Sequence, residues 1–292
     1  MLNRENLKEW PLVVFTISLQ YSCGLALAAT MVDFRAPSAE VELLRPIGIA
    51  IFPIVAVGTF FSLCHLGQPL SAWKSVLNLV HSRLSLEILM TILFALSALA
   101  DSAFWLTGRT EFRLAVGIAT FILGLAAVAS SAAIYMVPSR PFWNSGWLPT
   151  SFLATTILLG GAFASTLFAS TGNSTMLRPL LALTIAGGVL SFFSICWMLI
   201  RFSRLSRDKF AAISVPIAWR ARSLGSWFLF GLYVLFAGIV PIALIITLWP
   251  IGNAPSDASA VRFALPGFVA ILLGVTAGRT LMYSIGTTLS RF

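Results

Sequence analysis

The sequence predicts an all-α integral membrane protein: one polytopic membrane domain over residues 1–292, folded as an eight-transmembrane-helix bundle with both termini on the same side. Two observations carry this. Mean hydropathy is +0.93, and only 10% of residues are charged against 58% hydrophobic, whereas about a quarter of the residues of a soluble domain are charged. Apolar runs of about 20 residues, the length that crosses a hydrocarbon core of about 30 Å, also follow one another with little sequence between them.

Trp10-Pro11 opens the first span, which runs to about Met31. Proline suits the first turn of a helix, where its missing N–H costs nothing. The basic start and the LALAA segment resemble a signal peptide, but the apolar run exceeds the usual h-region of about 7–15 residues, so the span reads as a retained helix. Asp33 to Arg45 is a polar connection, and Pro46 opens span two, to about Leu66. Span three covers about Leu84 to Leu106 and ends in a tight Gly-Arg-Thr-Glu turn. Span four, about Phe112 to Met136, closes on PSRPFWNSGWLP, whose prolines and aromatics do not suit regular helix. Spans five and six run from about Thr150 to Ala169 and Pro179 to Ile200. The longest basic stretch, Arg201 to Arg222, precedes span seven (Leu224 to Trp249) and span eight (Phe263 to Leu289). No internal repeat marks an inverted-repeat transporter.

The net charge of +9 does not point to nucleic acid, because the basic residues punctuate apolar spans and form no stripe. On the side of the termini lie twelve: Arg4, Lys8, Lys74, Arg83, Arg140, the six from Arg201 to Arg222, and Arg291. Six lie opposite, and Arg279 is inside span eight. The positive-inside rule therefore puts the termini in the cytoplasm. The irregular segments gather on that same side. Cys23, Cys64 and Cys196 are scattered, with no CxxC, and read as small apolar residues, not as ligands of zinc or an iron–sulfur cluster.

The polar stretch between spans two and three, SLCHLGQPLSAWKSVLNLVHSRLSLE (62–87), holds both histidines. Polar groups at the edge of a membrane must be satisfied or used. His65, in the last turn of span two, is either a helix-end cation favoured by the dipole or a proton acceptor, since imidazole titrates near pH 6.5. Glu87, in the first turn of span three with Ser85 as its expected N-cap, is favoured there by the dipole. One span ends and the next begins on the same face, so His65 and Glu87 share a depth and make a candidate acid/base pair. His81 is in the loop, and two histidines at one end are a poor set for a haem held across the bilayer. Arg140, beside Trp143 and Trp147, is an interfacial anchor or a contact for a partner. Arg279 lies within the last span and needs a partner, for which Glu87 or a lipid phosphate are candidates; Tyr283, one turn later, shares its face. Asp101 is expected at the far interface.

EWPLVVFT, the SLCHLGQP…AWKSVLNL…SRLSLEIL stretch, PSRPFWNS and GRTLMY together resemble one family, the membrane anchor subunit of dimethyl sulfoxide reductase and related molybdoenzymes. The resemblance runs from the first helix to the last. It implies an eight-helix anchor without a redox cofactor or metal of its own in a prokaryotic cytoplasmic (inner) membrane. It implies two partners, an iron–sulfur subunit and a molybdopterin catalytic subunit, and menaquinol as substrate. It also implies that the histidine of the HLG motif, His65, and the glutamate opening the third helix, Glu87, bind and oxidise quinol. The expectation is thus a quinol-oxidising anchor with His65, Glu87, Arg279 and Tyr283 at the quinol and Arg140 and Trp143 at the partner. Two rivals stand beside it: a structural anchor with no quinol site, and a secondary transporter, for which Pro241 and the glycines of the later spans would mark broken helices.

Overall fold

A computed structural model describes residues 9–35, 42–65, 82–170, 175–207, 224–248 and 258–286. Eight helices in these residues are long and apolar enough to cross a membrane, as the composition predicts. They are α1 (Trp10–Arg35), α2 (Arg45–His65, led in by a 3-10 turn Glu42–Leu44), α3 (Arg83–Thr107), α4 (Arg113–Tyr135), α5 (Trp147–Ser170), α6 (Leu177–Arg207), α7 (Leu224–Tyr233, Val234–Ile239, Val240–Leu248) and α8 (Ala258–Gly286).

The ends differ from expectation where charged or proline residues fit a helix terminus. α1 continues through Asp33, which the sequence placed in a connection. α5 starts at Trp147 and takes Pro149 into its first turn, where no N–H is needed. α6 continues through Arg201 to Arg207, since cations suit the negative end of a helix. The turn after α3 is as expected: Gly108, at φ 68°, supplies the left-handed cap. α7 does not break at Pro241. It widens into a π turn over Val234–Ile239, with Val240 N–H donating to Leu235 O. The wide turn immediately precedes the proline, which has no N–H to give the preceding turn.

The helices form two rings of four. In the first, α1 packs on α2, α2 on α3, α3 on α4, and α4 returns to α1; α5 to α8 repeat that order. The rings meet through α1 against α5, with α8 also reaching α1. In α1 and α5, 72% of the apolar stretch is buried, against 28–44% in the other helices. This repeat is one of neighbour order, which short connections in an up-and-down bundle impose without any likeness of sequence. At the central crossing, a Cβ on Gly24 would overlap the Thr156 carbonyl oxygen, and one on Gly160 would overlap that of Gly24. Small residues let two backbones touch where lipid offers no hydrophobic drive to associate.

A buried charge pair ties the far end of the first ring. Arg113 forks onto Asp33, Nη2 donating to Oδ1 at 2.7 Å and Nε to Oδ2 at 3.1 Å. Their side chains are 8% and 9% exposed. The Arg113 guanidinium also stacks on Trp105, 4.2 Å from the ring centroid. Asp101, near the end of α3, is turned into the bundle and is 1% exposed. It belongs to the inward stripe Glu87, Thr91, Phe94, Ala98, Asp101, Trp105 of α3, which recurs at helical spacing. Its two oxygens accept no hydrogen bond among the described residues, and it lies within electrostatic reach of Asp33 and Arg113. Arg113→Leu is therefore expected to be the costlier half of a double-mutant cycle. It leaves two buried carboxylates facing one another and loses about 3–5 kcal/mol. Asp33→Leu costs less, because Arg113 can turn to Asp101, and Asp33→Leu/Arg113→Leu recovers part of the loss. Denaturant unfolding of the four proteins in detergent measures the order; equal single-variant losses would sink it.

Candidate functional site

Glu87 enters the bundle in the second turn of α3. The N-cap is Ser82 and not Ser85: Ser82 is extended (φ −124°, ψ 115°) and its hydroxyl accepts from Ser85 N–H at 3.3 Å. Ser85 itself is buried. This register sets Glu87 on the inward stripe, 8% exposed, with the Ser131 hydroxyl of α4 beside it. Glu87 Oε1 and the Ser131 hydroxyl have no hydrogen-bond partner of ordinary geometry among the described residues. Arg83, one turn earlier, donates from Nη1 to Ala133 O at 2.9 Å and also to Met136 O, so the start of α3 is clamped to the end of α4.

That clamp places Glu87 beside a tyrosine pair. The Tyr135 hydroxyl, at the last residue of α4, is 2.7 Å from that of Tyr283 in the last turn of α8. Their rings meet edge to face at 5.5 Å between centroids. The pair bridges the two rings, and both tyrosines lie within electrostatic reach of Glu87 on one side and Arg279 on the other.

Arg279 is 4% exposed. Its expected partner, Glu87, is not the one it binds; among the described residues no carboxylate lies within ion-pair distance. Nη2 instead donates to Gln20 Oε1 on α1 at 2.8 Å, and the guanidinium lies 3.9 Å from the centroid of Phe152 on α5. Tyr135, Tyr233 and Tyr283, three of the four tyrosines in the sequence, surround it. A cation held by an amide, an aromatic face and phenols needs no counter-ion from lipid. Arg279 Nε and Gln20 Nε2 keep a free N–H.

Arg279, Ser151, Thr155, Tyr233 and Met198 line a small cavity of about 10 Å³ inside the second ring, room for about one water. Beside it an apolar groove of about 60 Å³ runs between α6, α7, α8 and the 136–146 connection. Met198 belongs to both walls.

Trp143, expected at the partner face, is turned inward and 1% exposed. Its Nε1–H donates to Met282 O at 3.3 Å, and its ring packs on Tyr135 at 5.3 Å between centroids. It braces the tyrosine pair. Arg140 is half-buried, its guanidinium 4.6 Å from the Trp143 centroid. His65 closes α2 at the same end of the bundle. Its side chain, and His81 with the rest of 66–81, lie outside the described residues.

Gln20, Tyr135 and Phe152 escaped the sequence reading. The available signal was a polar residue within an apolar span, which marks Gln20 and Tyr135; nothing marks Phe152. No group of three or more His, Cys, Asp or Glu fit to hold a metal occurs among the described residues. Cys23 is buried as a core residue, but Cys64 is exposed.

The sequence profile of the DMSO reductase anchor subunit (DmsC) family matches residues 3–285. The protein belongs to this family. It is 27% identical to the C subunit of the anaerobic dimethyl sulfoxide reductase of Escherichia coli (strain K12), over 96% of both sequences. It is 30% identical to the anaerobic dimethyl sulfoxide reductase subunit YnfH of the same organism, over 62% of this sequence and 67% of that one. It is 27% identical to the anaerobic dimethyl sulfoxide reductase C subunit of Haemophilus influenzae, over 53% and 56% of the two sequences. This DMSO reductase anchor is a multi-pass membrane protein whose buried polar residues Glu87, Tyr135, Tyr283 and Arg279 gather toward one end.

Proposed function

We propose that this protein anchors a heterotrimeric molybdopterin oxidoreductase in a prokaryotic cytoplasmic membrane and oxidises menaquinol there. Electrons pass to an iron–sulfur subunit, and the terminal reduction occurs on a molybdopterin subunit. The observation that carries the quinol reading is Glu87, a buried carboxylate with an unused oxygen at the end of the bundle where α2 closes on His65. Keeping such a group in a membrane interior is costly unless it serves a function.

Oxidation breaks the two O–H bonds of the quinol. Two electrons leave for the iron–sulfur subunit, and Glu87 and His65 take one proton each and release it to the nearby aqueous face. Tyr283 and Arg279 orient the headgroup by donating to its oxygens. A carboxylate or imidazole near an interface suits this exchange because each returns to its basic form between turnovers. The partners bring the molybdopterin and the iron–sulfur clusters.

The test is to purify the tagged protein from its native membranes in mild detergent and assay it for molybdenum, iron and menaquinol-driven turnover. Both metals arriving with two larger subunits, and saturable oxidation of a menaquinol analogue, are the expected result. Arrival of the protein alone and free of metal overturns the anchor reading. Arrival of both metals without quinol oxidation leaves a structural anchor only.

A further inference from the structure

The cavity in the second ring joins a buried cation to two hydroxyls that the acid/base chemistry at Glu87 does not use. The Arg279 guanidinium is held on three sides. Nη2 donates to Gln20 Oε1 at 2.8 Å, Nη1 donates to Met282 Sδ at 3.4 Å, and one face lies on Phe152. The Nε–H is left, buried and without an acceptor among the described residues. Ser151 and Thr155, one turn apart on α5, line the same cavity. Both hydroxyl hydrogens are committed within the helix: Ser151 Oγ donates to Leu148 O at 2.7 Å, and Thr155 Oγ1 to Ser151 O at 2.9 Å. Each hydroxyl oxygen keeps lone pairs that can still accept. One donor and two acceptors therefore surround a space of about 10 Å³.

We infer that this cavity is a binding site for a single water, which accepts from Arg279 Nε–H and donates to Ser151 Oγ and Thr155 Oγ1. The volume suits one water, and about three hydrogen bonds is the usual number for a buried one. The pattern of donors selects against other small ligands. A buried arginine with no carboxylate in reach among the described residues invites an anion, but a halide only accepts. It would meet the N–H on one side and oxygen lone pairs on the other. A metal ion or ammonium could use the hydroxyl oxygens but would face the charge of Arg279 itself. Water gives and takes in the required proportion. It pairs a buried donor that is costly to leave unpaired. It also ties α8 to α5 through Arg279, as Gln20 ties α8 to α1, so one side chain pins α8 to both helices of the central crossing. The site does not depend on the quinol reading.

The test is a density map of the protein as purified from native membranes with whatever subunits accompany it, fine enough to show ordered waters. The expected result is a peak within hydrogen-bond reach, about 2.7–3.2 Å, of Arg279 Nε and of both hydroxyl oxygens. No peak there, with the surrounding side chains well defined, overturns the site. A second map, from protein kept in bromide in place of chloride, separates water from an anion. An unchanged peak supports water, and a stronger one marks a halide and overturns it. The double variant Ser151→Ala/Thr155→Val removes both acceptors while keeping the helix. Its expected map has lost the peak and keeps the Arg279–Gln20 contact. A peak that persists unchanged in the variant overturns the assigned partners. Should the variant not assemble, the two wild-type maps decide the question by themselves. Quinol oxidation is not read in any arm, so failure of this site and failure of the proposed function remain distinguishable.

Discussion

Glu87→Gln is expected to lower menaquinol-driven turnover by about 10²–10⁴-fold, the contribution of a positioned general base, with assembly intact. Glutamine keeps the shape of the side chain but cannot take a proton at neutral pH. The fold does not need the charge: among the described residues Oε1 accepts no hydrogen bond, and no cation pairs with it. Replacing a buried carboxylate of this kind with a neutral amide removes a desolvation cost, so the variant folds at least as well. Loss of turnover therefore reports on chemistry. His65→Asn follows the same logic from the end of α2. Two readouts separate the cases: menaquinol oxidation, and turnover driven by a dye that reduces the partner subunits directly. The first falls and the second holds. Normal quinol oxidation in both variants would remove His65 and Glu87 from the site.

How far the sequence alone reaches differs between fold and site. Crossing hydrocarbon is encoded in composition, so all eight spans are legible in the order of residues. Their ends are less so, because a terminus is decided by caps. Ser82 and Ser85 both qualify, and only the extended backbone at Ser82 settles which one caps and therefore that Glu87 points inward. Glu87, Arg279 and Tyr283 stand out because polar groups are costly in an apolar run. Their partners do not. Gln20 is 259 residues from Arg279, and Tyr135 is 148 from Tyr283; only packing of the two rings brings them together. Trp143 shows the opposite failure. Tryptophans near span ends usually sit at the lipid interface, yet this one is folded under the connection to brace the tyrosines. Asp101 also faces inward, which closeness to a helix end does not reveal.

Gly24→Leu and Gly160→Leu are expected to prevent the folded protein from accumulating. A larger side chain in a packed core costs about 1–3 kcal/mol when neighbours can shift. Here the obstacle is backbone: the carbonyl oxygens of Thr156 and Gly24, which cannot rotate aside. α1 and α5 would have to separate, and they are the helices through which the rings join. Gly231→Ala on α7 is the contrast, since a Cβ there meets nothing; it gains up to about 1 kcal/mol of helix propensity and accumulates normally. The crossing also governs the site. Gln20 lies one turn from Gly24 on α1, and Phe152 lies one turn from Thr156 on α5, so the two contacts that hold Arg279 flank the place where the backbones touch. A milder change, Gly24→Ala, is therefore expected to lower quinol turnover per assembled complex as well as abundance, because spreading the helices draws Gln20 away from Arg279. Abundance in membranes, thermal unfolding in detergent and turnover per bound molybdenum measure the three effects. If Gly24→Leu accumulates like the parent, the rings are not held at this crossing; if Gly24→Ala loses abundance but not specific turnover, the crossing supports the fold without setting the geometry at Arg279.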